Sequence, residues 1–482
     1  MKREPTCIAM LVLLVTAGIG QAGPEFIPNG AHFPNPGGTS STYSTSGKID
    51  LTGAFFQSIG TNGRSCGTCH QPSDAMSVSA EHIQQRFDVS QGLDPIFRTV
   101  DGSNCNHDID VSTVEGRSAA YSLLRARGLI RIAIAVPANA DYEVVSVENP
   151  YACNETDNIS QYRRPLPSTN LRFLSAVMFD GRESSPLTGT TKILPANYPD
   201  SLESDLRHQS VDATTGHAQG DGTSPTPAEQ KEIVDFEMAL FTAQSTGQGT
   251  GNLDARGATG GPTALINQAF FIGTNSQIPQ FENPASGPFN PAIFNLFDAW
   301  ADLPYHDPRA SVARGQALFN STAINITGVA GLNDDKAAGG LVTGGIPVIA
   351  GFCATCHDTP NVGNHSFPTP LDIGTGDPNP ANPSLSMGGL DVAYLPRITV
   401  RSKLTGELKT TTDLGQALID GKFDHVGKIK GPILRGLSAR APYFHNGSAQ
   451  TLLDVVRFYE NRFGVAFTAQ EEADLVAFLS SL

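Results

Sequence analysis

Two stretches of this 482-residue chain carry the same pattern: GRSCGTCHQP at residues 63–72 and GFCATCHDTP at residues 351–360. Both contain Cys-x-x-Cys-His. Two thiols one turn apart can each add to a vinyl group on one porphyrin edge, and the imidazole that follows can reach the iron. A redox dithiol needs neither the trailing histidine nor a second copy, and half of a zinc site is the other competing interpretation. The sequence therefore predicts two covalently bound c-type haems.

Each motif supplies two attachment cysteines and one proximal iron ligand. In chain order, these residues are Cys66, Cys69 and His70 for the first haem and Cys353, Cys356 and His357 for the second.

The first residues of the chain have the pattern of a secretory signal. A basic start precedes an apolar run from Ile8 to Ile19, and the small residues Gly20 and Ala22 follow it. This pattern predicts cleavage after Ala22, so that residues 1–22 form a signal peptide. The apolar run is short for a membrane anchor. We therefore expect a periplasmic or secreted protein that does not span a membrane.

The remaining cysteines fit an exported protein. Cys7 would leave with the signal peptide, and Cys105 and Cys153 then remain outside the two motifs. In an oxidising compartment this pair predicts a disulfide that closes a loop of about fifty residues. Two free buried thiols are the alternative.

Composition and charge exclude some functions. Hydrophobic residues make up 39% of the chain and charged residues 16%, as in a globular protein, and the 49 glycines and 33 prolines predict long loops. The net charge of −15, with no basic run, argues against nucleic-acid binding.

The periodicity of apolar residues predicts a mainly α-helical fold. Helical patterns occur at residues 231–244, 311–320 and 451–463, and Thr468 and Glu471 have capping-box spacing before a last helix. IRIAIAV at 130–136 and DYEVVSVE at 141–148 predict a β-hairpin.

We expect two c-type cytochrome domains that pack together, connected by long loops. The N-terminal domain would cover residues 23–310, with a small β insertion at about 100–165, and the C-terminal domain would cover residues 311–482.

Three further stretches resemble the bacterial diheme cytochrome c peroxidase superfamily, which includes the MauG-type protein-oxidising enzymes. They are KGPILRGLSARAPYFHNGSAQTLLDVVRFY at 430–459, RGQALF at 314–319 and MFDGRE at 178–183. In the last stretch Phe179 stands where the family usually has tryptophan.

The resemblance implies a division of labour between the haems. The N-terminal haem would react with hydrogen peroxide, and the C-terminal haem would deliver electrons. These electrons would come from a small cytochrome or cupredoxin, or from a protein substrate that is oxidised. A non-enzymatic diheme electron-transfer cytochrome and a diheme oxygenase are the alternatives.

The second axial ligand of the C-terminal haem would decide the subclass. Tyr459 stands where MauG-type enzymes have a ligating tyrosine and classical peroxidases have methionine. Met387 in the loop SLSMGG is an alternative, and a histidine or no ligand are further ones. His445 matches a family histidine near this haem, and we expect it beside the haem rather than on the iron.

Peroxide cleavage needs a group that moves a proton near the N-terminal haem. His208 stands at the position of the family's glutamate in DLRHQS, and His217 and Glu203 are competing candidates. His82 is a candidate removable distal ligand. The family also implies a calcium ion between the domains.

That calcium ion would be bound in part by the backbone carbonyls of Arg440 and Pro442.

Overall fold

A computed structural model describes residues 24–174, 176–184, 201–268, 275–277, 287–334, 345–359, 370–378 and 390–482. The predicted signal peptide and Met387 lie outside these residues. About 31% of the structure is helix and about 18% is strand. The mainly α-helical prediction is therefore confirmed in part, because helix exceeds strand but five small sheets accompany the helices in the described ranges.

The described residues contain ten α-helices. They are α1 (Ala80–Ser90), α2 (Val114–Ala120), α3 (Ser122–Arg127), α4 (Leu202–Gly216), α5 (Pro227–Met238), α6 (Pro262–Leu265), α7 (Pro308–Ser321), α8 (Ala417–Asp420), α9 (Leu452–Phe463) and α10 (Ala469–Ser480).

Thirteen strands occur over the same ranges. They are β1 (Phe26–Pro28), β2 (Phe33–Asn35), β3 (Gly38–Ser44), β4 (Lys48–Asp50), β5 (Ile130–Ala135), β6 (Tyr142–Glu148), β7 (Asn158–Arg163), β8 (Leu240–Gly247), β9 (Gly251–Asn252), β10 (Ile324–Ile326), β11 (Ile349–Gly351), β12 (Arg397–Ser402) and β13 (Leu408–Thr411). The sheet orders are β1-β4, β2-β3-β8-β9, β5-β7, β10-β11 and β13-β12-β6, and every pairing is antiparallel.

The predicted hairpin of residues 130–148 is wrong, although both of its strands exist. β5 pairs with β7, and β6 pairs with β12, more than two hundred residues later in the chain. The alternation of apolar residues reveals a strand but not its partner, and the short connection between β5 and β6 favoured the local pairing. One sheet therefore joins the N-terminal half of the chain to the C-terminal half.

The helix predicted for residues 231–244 is correct only in its first part. α5 begins with a capping box in which the Thr226 hydroxyl accepts from the Glu229 amide and the Glu229 carboxylate accepts from the Thr226 amide. The chain then enters β8, whose first six residues are all buried and which pairs with β3. Tertiary pairing with a distant strand thus overrides the local helical pattern.

The C-terminal helices form the largest hydrophobic cluster. The rings of Phe319 on α7 and Phe478 on α10 lie 5.4 Å apart, and Ala354 of the second motif is fully buried in the same cluster. The Thr468 and Glu471 capping box is confirmed, since each side chain accepts from the other residue's amide. This packing holds the second motif against α7 and α10.

A disulfide joins Cys105 to Cys153, with their Cα atoms 5.8 Å apart. Within the described ranges no helix has the length and hydropathy needed to cross a membrane.

Candidate functional site

The two Cys-x-x-Cys-His motifs adopt the same local conformation. Residues Cys66–Thr68 and Cys353–Thr355 each form one 3₁₀ turn. The His70 amide donates to the Cys66 carbonyl at 3.0 Å, and the His357 amide donates to the Cys353 carbonyl at 2.9 Å. A threonine hydroxyl accepts from the backbone amide three residues earlier in both turns, at 2.9 and 3.0 Å. Both turns therefore present two thiols and one imidazole in the same order.

The imidazole of His70 is oriented for metal binding. Its Nδ1 lies 3.1 Å from the Met76 carbonyl oxygen. Because a carbonyl can only accept, Nδ1 carries the proton and Nε2 keeps its lone pair. Burial lowers the pKa of His70 to about 4, so the ring is neutral at physiological pH.

The first motif lines a cavity that we call the N-terminal cavity. Its wall includes Cys66, Cys69 and His70, the residues Gln209 and Ala213 of α4, and His217 just after that helix. Apolar side chains supply most of the remaining wall, among them Ile130, Leu171, Leu174, Val177, Leu206 and Ile433.

His217 is the proton-transfer candidate that lines this cavity. Its Nδ1 lies 2.5 Å from a carboxylate oxygen of Asp101, and the other oxygen of Asp101 accepts from the guanidinium of Arg64. Burial alone would raise the pKa of Asp101, but the hydrogen bond and charge of His217 and the charge of Arg64 outweigh it and lower the pKa. Asp101 is therefore a buried carboxylate that orients the imidazole.

His208 and Glu203 do not line the N-terminal cavity. The His208 side chain is 67% exposed, and its Nδ1 lies 2.7 Å from the buried carboxylate of Glu183. Glu203 is 59% exposed and forms an ion pair with Arg207 at 2.7 Å. α4 directs Gln209 into the cavity, so His208 falls on the outer face of the helix.

His82 also lies away from both cavities. It is on α1, its side chain is 37% exposed, and its Nδ1 lies 2.5 Å from the buried carboxylate of Asp74. The hydrogen bond that His82 donates to the Asp74 carboxylate raises the pKa of His82 in spite of partial burial.

The second motif lines a further cavity, which we call the C-terminal cavity. Cys353, Cys356 and His357 meet Tyr459 there. Burial raises the pKa of Tyr459, and the ring stacks on Phe463 with the centroids 6.0 Å apart. Within the described ranges the Tyr459 hydroxyl has no hydrogen-bond partner.

His445 lies in the same cavity. The ring is buried, and its Nε2 has no hydrogen bond in the part of the chain that the structure describes. The nearest carboxylate oxygen, on Asp413, is 3.7 Å away. Burial lowers the pKa of His445 to about 4, so this is a neutral imidazole with an unsatisfied nitrogen.

The two cavities share one wall. The residues that line both are Arg164, Pro165, Leu166, Pro167, Phe179 and Lys430. Phe179, at the position where tryptophan was expected, also packs its ring 6.0 Å from that of His445. Any two groups held in these cavities would therefore be immediate neighbours.

The side chain of Arg164 contacts one of the carbonyls that were expected to bind calcium. Its guanidinium donates to the carbonyls of Val78 at 2.6 Å, Arg440 at 2.8 Å and Arg127. The positive charge at the Arg440 carbonyl is thus the guanidinium group of Arg164. Calcium binding by Arg440 and Pro442 stays a prediction.

The donor set in both cavities fits haem c. Burial raises the pKa of the thiols of Cys66, Cys353 and Cys356 to about 12, so these cysteines are protonated thiols when no group is bound. The walls are apolar, as a porphyrin requires. The unsatisfied Nε2 of His445 adds a polar atom that a bound cofactor can meet.

Comparison with known proteins agrees with this donor set. No protein-family model matches the chain. The chain is similar to bacterial cytochrome-c peroxidases: it is 31% identical over 139 residues to cytochrome-c peroxidase IdrP2 of Denitromonas iodatirespirans and 29% identical over 150 residues to IdrP1 of the same organism. Each match covers 27% of this chain and 36% of the relative. The resemblance found in the sequence is confirmed.

A third relative, cytochrome-c peroxidase IdrP2 of Pseudomonas sp. (strain SCT), is 28% identical over 137 residues, and this match covers 27% of the chain and 35% of the relative. The chain thus spans about a third of the length of these curated relatives. Among solved structures, a MauG-like protein associated with microbial copper homeostasis is 14% identical, with a TM-score of 0.36, over 96% of this chain and 95% of that protein.

Two residues of the site were missed by sequence reasoning. Asp101 meets His217 across 116 positions, and no local pattern signals that contact. Lys430 is the first residue of the family-like segment 430–459, so the sequence marked its position. The sequence did not show that Lys430 is buried in the shared wall.

Proposed function

We propose that this chain is an exported diheme c-type oxidoreductase, periplasmic or secreted. It reduces hydrogen peroxide at the haem of the N-terminal cavity and receives electrons through the haem of the C-terminal cavity. The observation that carries the proposal is the asymmetry of two adjoining cavities. His217, whose Nδ1 is held by Asp101, lines the N-terminal cavity, whereas the C-terminal cavity has Tyr459 beside the second motif and a buried His445 whose Nε2 has no hydrogen bond in the described ranges.

The reduction of hydrogen peroxide to two water molecules consumes two electrons and two protons. Haem c supplies the redox chemistry when it is bound. His70 would hold the iron through Nε2, because its Nδ1 is bonded to the Met76 carbonyl. His217 would move protons at its own Nε2 while Asp101 holds Nδ1. Gln209, beside them on the cavity wall, can hydrogen-bond the substrate.

His217 takes the proton-transfer role in this proposal, in preference to His208 and Glu203. Both of these side chains are mostly exposed, and neither is among the residues that line the cavity. His82, held on Asp74, has no assigned role in the mechanism.

The C-terminal cavity suits electron transfer. His357 would be the proximal ligand of its haem and Tyr459 the second ligand, because a tyrosine oxygen stabilises oxidised iron. His445 would hydrogen-bond at the edge of the site. The electrons would come from a small cytochrome or cupredoxin, or from a protein substrate that is oxidised, and the residues of the shared wall would lie between the two haems.

The proposal is tested on the purified, haem-loaded protein. We expect its mass to exceed that of the mature polypeptide by two haem groups, and its oxidised spectrum to change on addition of stoichiometric peroxide. His217→Ala should slow this reaction by about 10²–10⁴-fold. His208→Ala, on the outer face of α4, is the matched control and should react like the wild type.

A spectrum that peroxide leaves unchanged would favour the non-enzymatic electron carrier, which requires both irons to be six-coordinate. Reaction with dioxygen and a polymeric substrate, but not with peroxide, would instead favour the oxygenase.

A further inference from the structure

Lys430 is a buried cation without a described counter-charge. Only 2% of its surface is exposed, and its side chain lines both cavities. Its backbone amide donates to the Phe179 carbonyl at 2.7 Å, which fixes the residue in the shared wall. Burial lowers the pKa of Lys430 to about 8, and no charged group offsets this effect. The ammonium has no carboxylate within ion-pair distance in the described ranges.

Three other buried cations nearby have described partners. Lys428, two residues earlier and equally buried, lies 3.5 Å from the carboxylate of Asp334. Arg163 is held between Asp413 and Asp180. Arg164, which also lines both cavities, donates to backbone carbonyls. Lys430 therefore differs from each of these neighbours in that its side chain has neither a carboxylate nor a backbone carbonyl as a described partner.

An ammonium without a counter-charge in an apolar wall is destabilised by the loss of its hydration. Such a group is retained where an anion completes the site. The groups that the cavities fit best are two haems, and each haem carries two propionate carboxylates. Lys430 lines both spaces, and the part of the chain that the structure describes supplies it with no anion.

We propose that Lys430 binds a haem propionate at the shared wall and that its positive charge sets the reduction potentials of both haems together. This inference rests on the proposed function, since it requires the two haems. Lys430 is a positioning and electrostatic residue, because it acts on the irons through the carboxylate and through space.

The test is a spectroelectrochemical titration of the haem-loaded protein. A positive charge near an iron destabilises the more positive, oxidised form, so its removal lowers the reduction potential. We expect Lys430→Met and Lys430→Gln to shift both haem couples to lower potential. Lys430→Arg should keep both near the wild-type values, because the charge is preserved. Lys428→Met is the matched control and should move neither couple.

Unchanged potentials in Lys430→Met and Lys430→Gln, or a shift of one couple alone, would overturn the proposal. Far-UV circular dichroism and the haem absorbance per protein, measured on every variant, establish that the protein is folded and loaded. A paired shift in a protein that does not react with peroxide would leave this role in place and refute the proposed function alone.

Discussion

Nδ1 of His217 lies 2.5 Å from the carboxylate of Asp101, a residue that is only 4% exposed. The same carboxylate accepts from the guanidinium of Arg64. A buried carboxylate so placed fixes the ring orientation of the histidine and leaves Nε2 as the atom that exchanges protons.

Replacement of Asp101 by asparagine should affect both stability and reactivity. The substitution leaves the buried guanidinium of Arg64 without its ion pair, which typically costs about 3–5 kcal/mol of unfolding free energy. It also releases His217, so the reaction with peroxide should slow. Chemical denaturation and stopped-flow absorbance measure the two effects. Asp50→Asn is the control, because its exposed pair with Lys48 is worth less than about 1 kcal/mol.

An Asp101→Asn protein as stable as the Asp50→Asn control would show that the buried ion pair with Arg64 is not formed.

The ligand assignment of the second haem predicts a spectroscopic difference between two tyrosines. Tyr459→Phe should change the low-spin spectrum of this haem, because it removes the ligating oxygen. Tyr443→Phe is the matched control, since Tyr443 lines the same cavity and is also mostly buried. Absorbance and electron paramagnetic resonance spectra of both variants make the comparison. Identical spectra for wild type and Tyr459→Phe would remove Tyr459 from the ligand set.

Glu237 makes stability depend on pH. Burial raises the pKa of this carboxyl group from 4.5 to about 8, and one of its oxygens has no hydrogen bond within the described ranges. The folded state therefore binds more protons than the unfolded state between these values, so stability is fully present below pH 4.5 and declines as the pH rises through 8.

Glu237→Gln should leave the unfolding midpoint nearly unchanged at pH 4 and raise it at pH 9, by a free energy on the order of a few kcal/mol. Thermal unfolding at both values measures this. Glu203→Gln replaces an exposed glutamate and is the control. Parallel curves for Glu237→Gln and wild type would contradict the raised pKa.

The Cys105–Cys153 disulfide should stabilise the region around β5, β6 and β7. It spans 48 positions, and closure of such a loop in the unfolded chain is worth about 2–4 kcal/mol. Cys105→Ser/Cys153→Ser should unfold at correspondingly lower denaturant concentration while both haems stay attached. Equal denaturation midpoints before and after the double substitution would mean that the bond adds nothing to stability.

Local chemistry made much of the candidate site predictable. The turn at each Cys-x-x-Cys-His motif is determined locally, because its hydrogen bonds lie within five residues. The capping box of Thr468 and Glu471 is equally local. The family-like segment 430–459 placed Tyr459 and His445 in one cavity.

Contacts between distant residues were not predictable in the same way. The exposure of His208 depends on which face of α4 meets the core, and the neighbouring residue Gln209 is the one turned inward. The partner of β6 is set by packing across the whole chain, so a strand pattern alone could not name β12. The role of Phe179 in the shared wall likewise appears only when both cavities are formed.

The pairing of β6 with β12 has a consequence for anyone who wishes to divide this protein. A cut at residue 310 would separate the two strands, leave a bare sheet edge on each fragment, and expose the apolar residues that the sheet covers. Neither fragment would be a self-sufficient single-haem module. A shortened version for engineering must therefore keep residues 142–148 and 397–402 on one polypeptide, or supply the missing strand in trans.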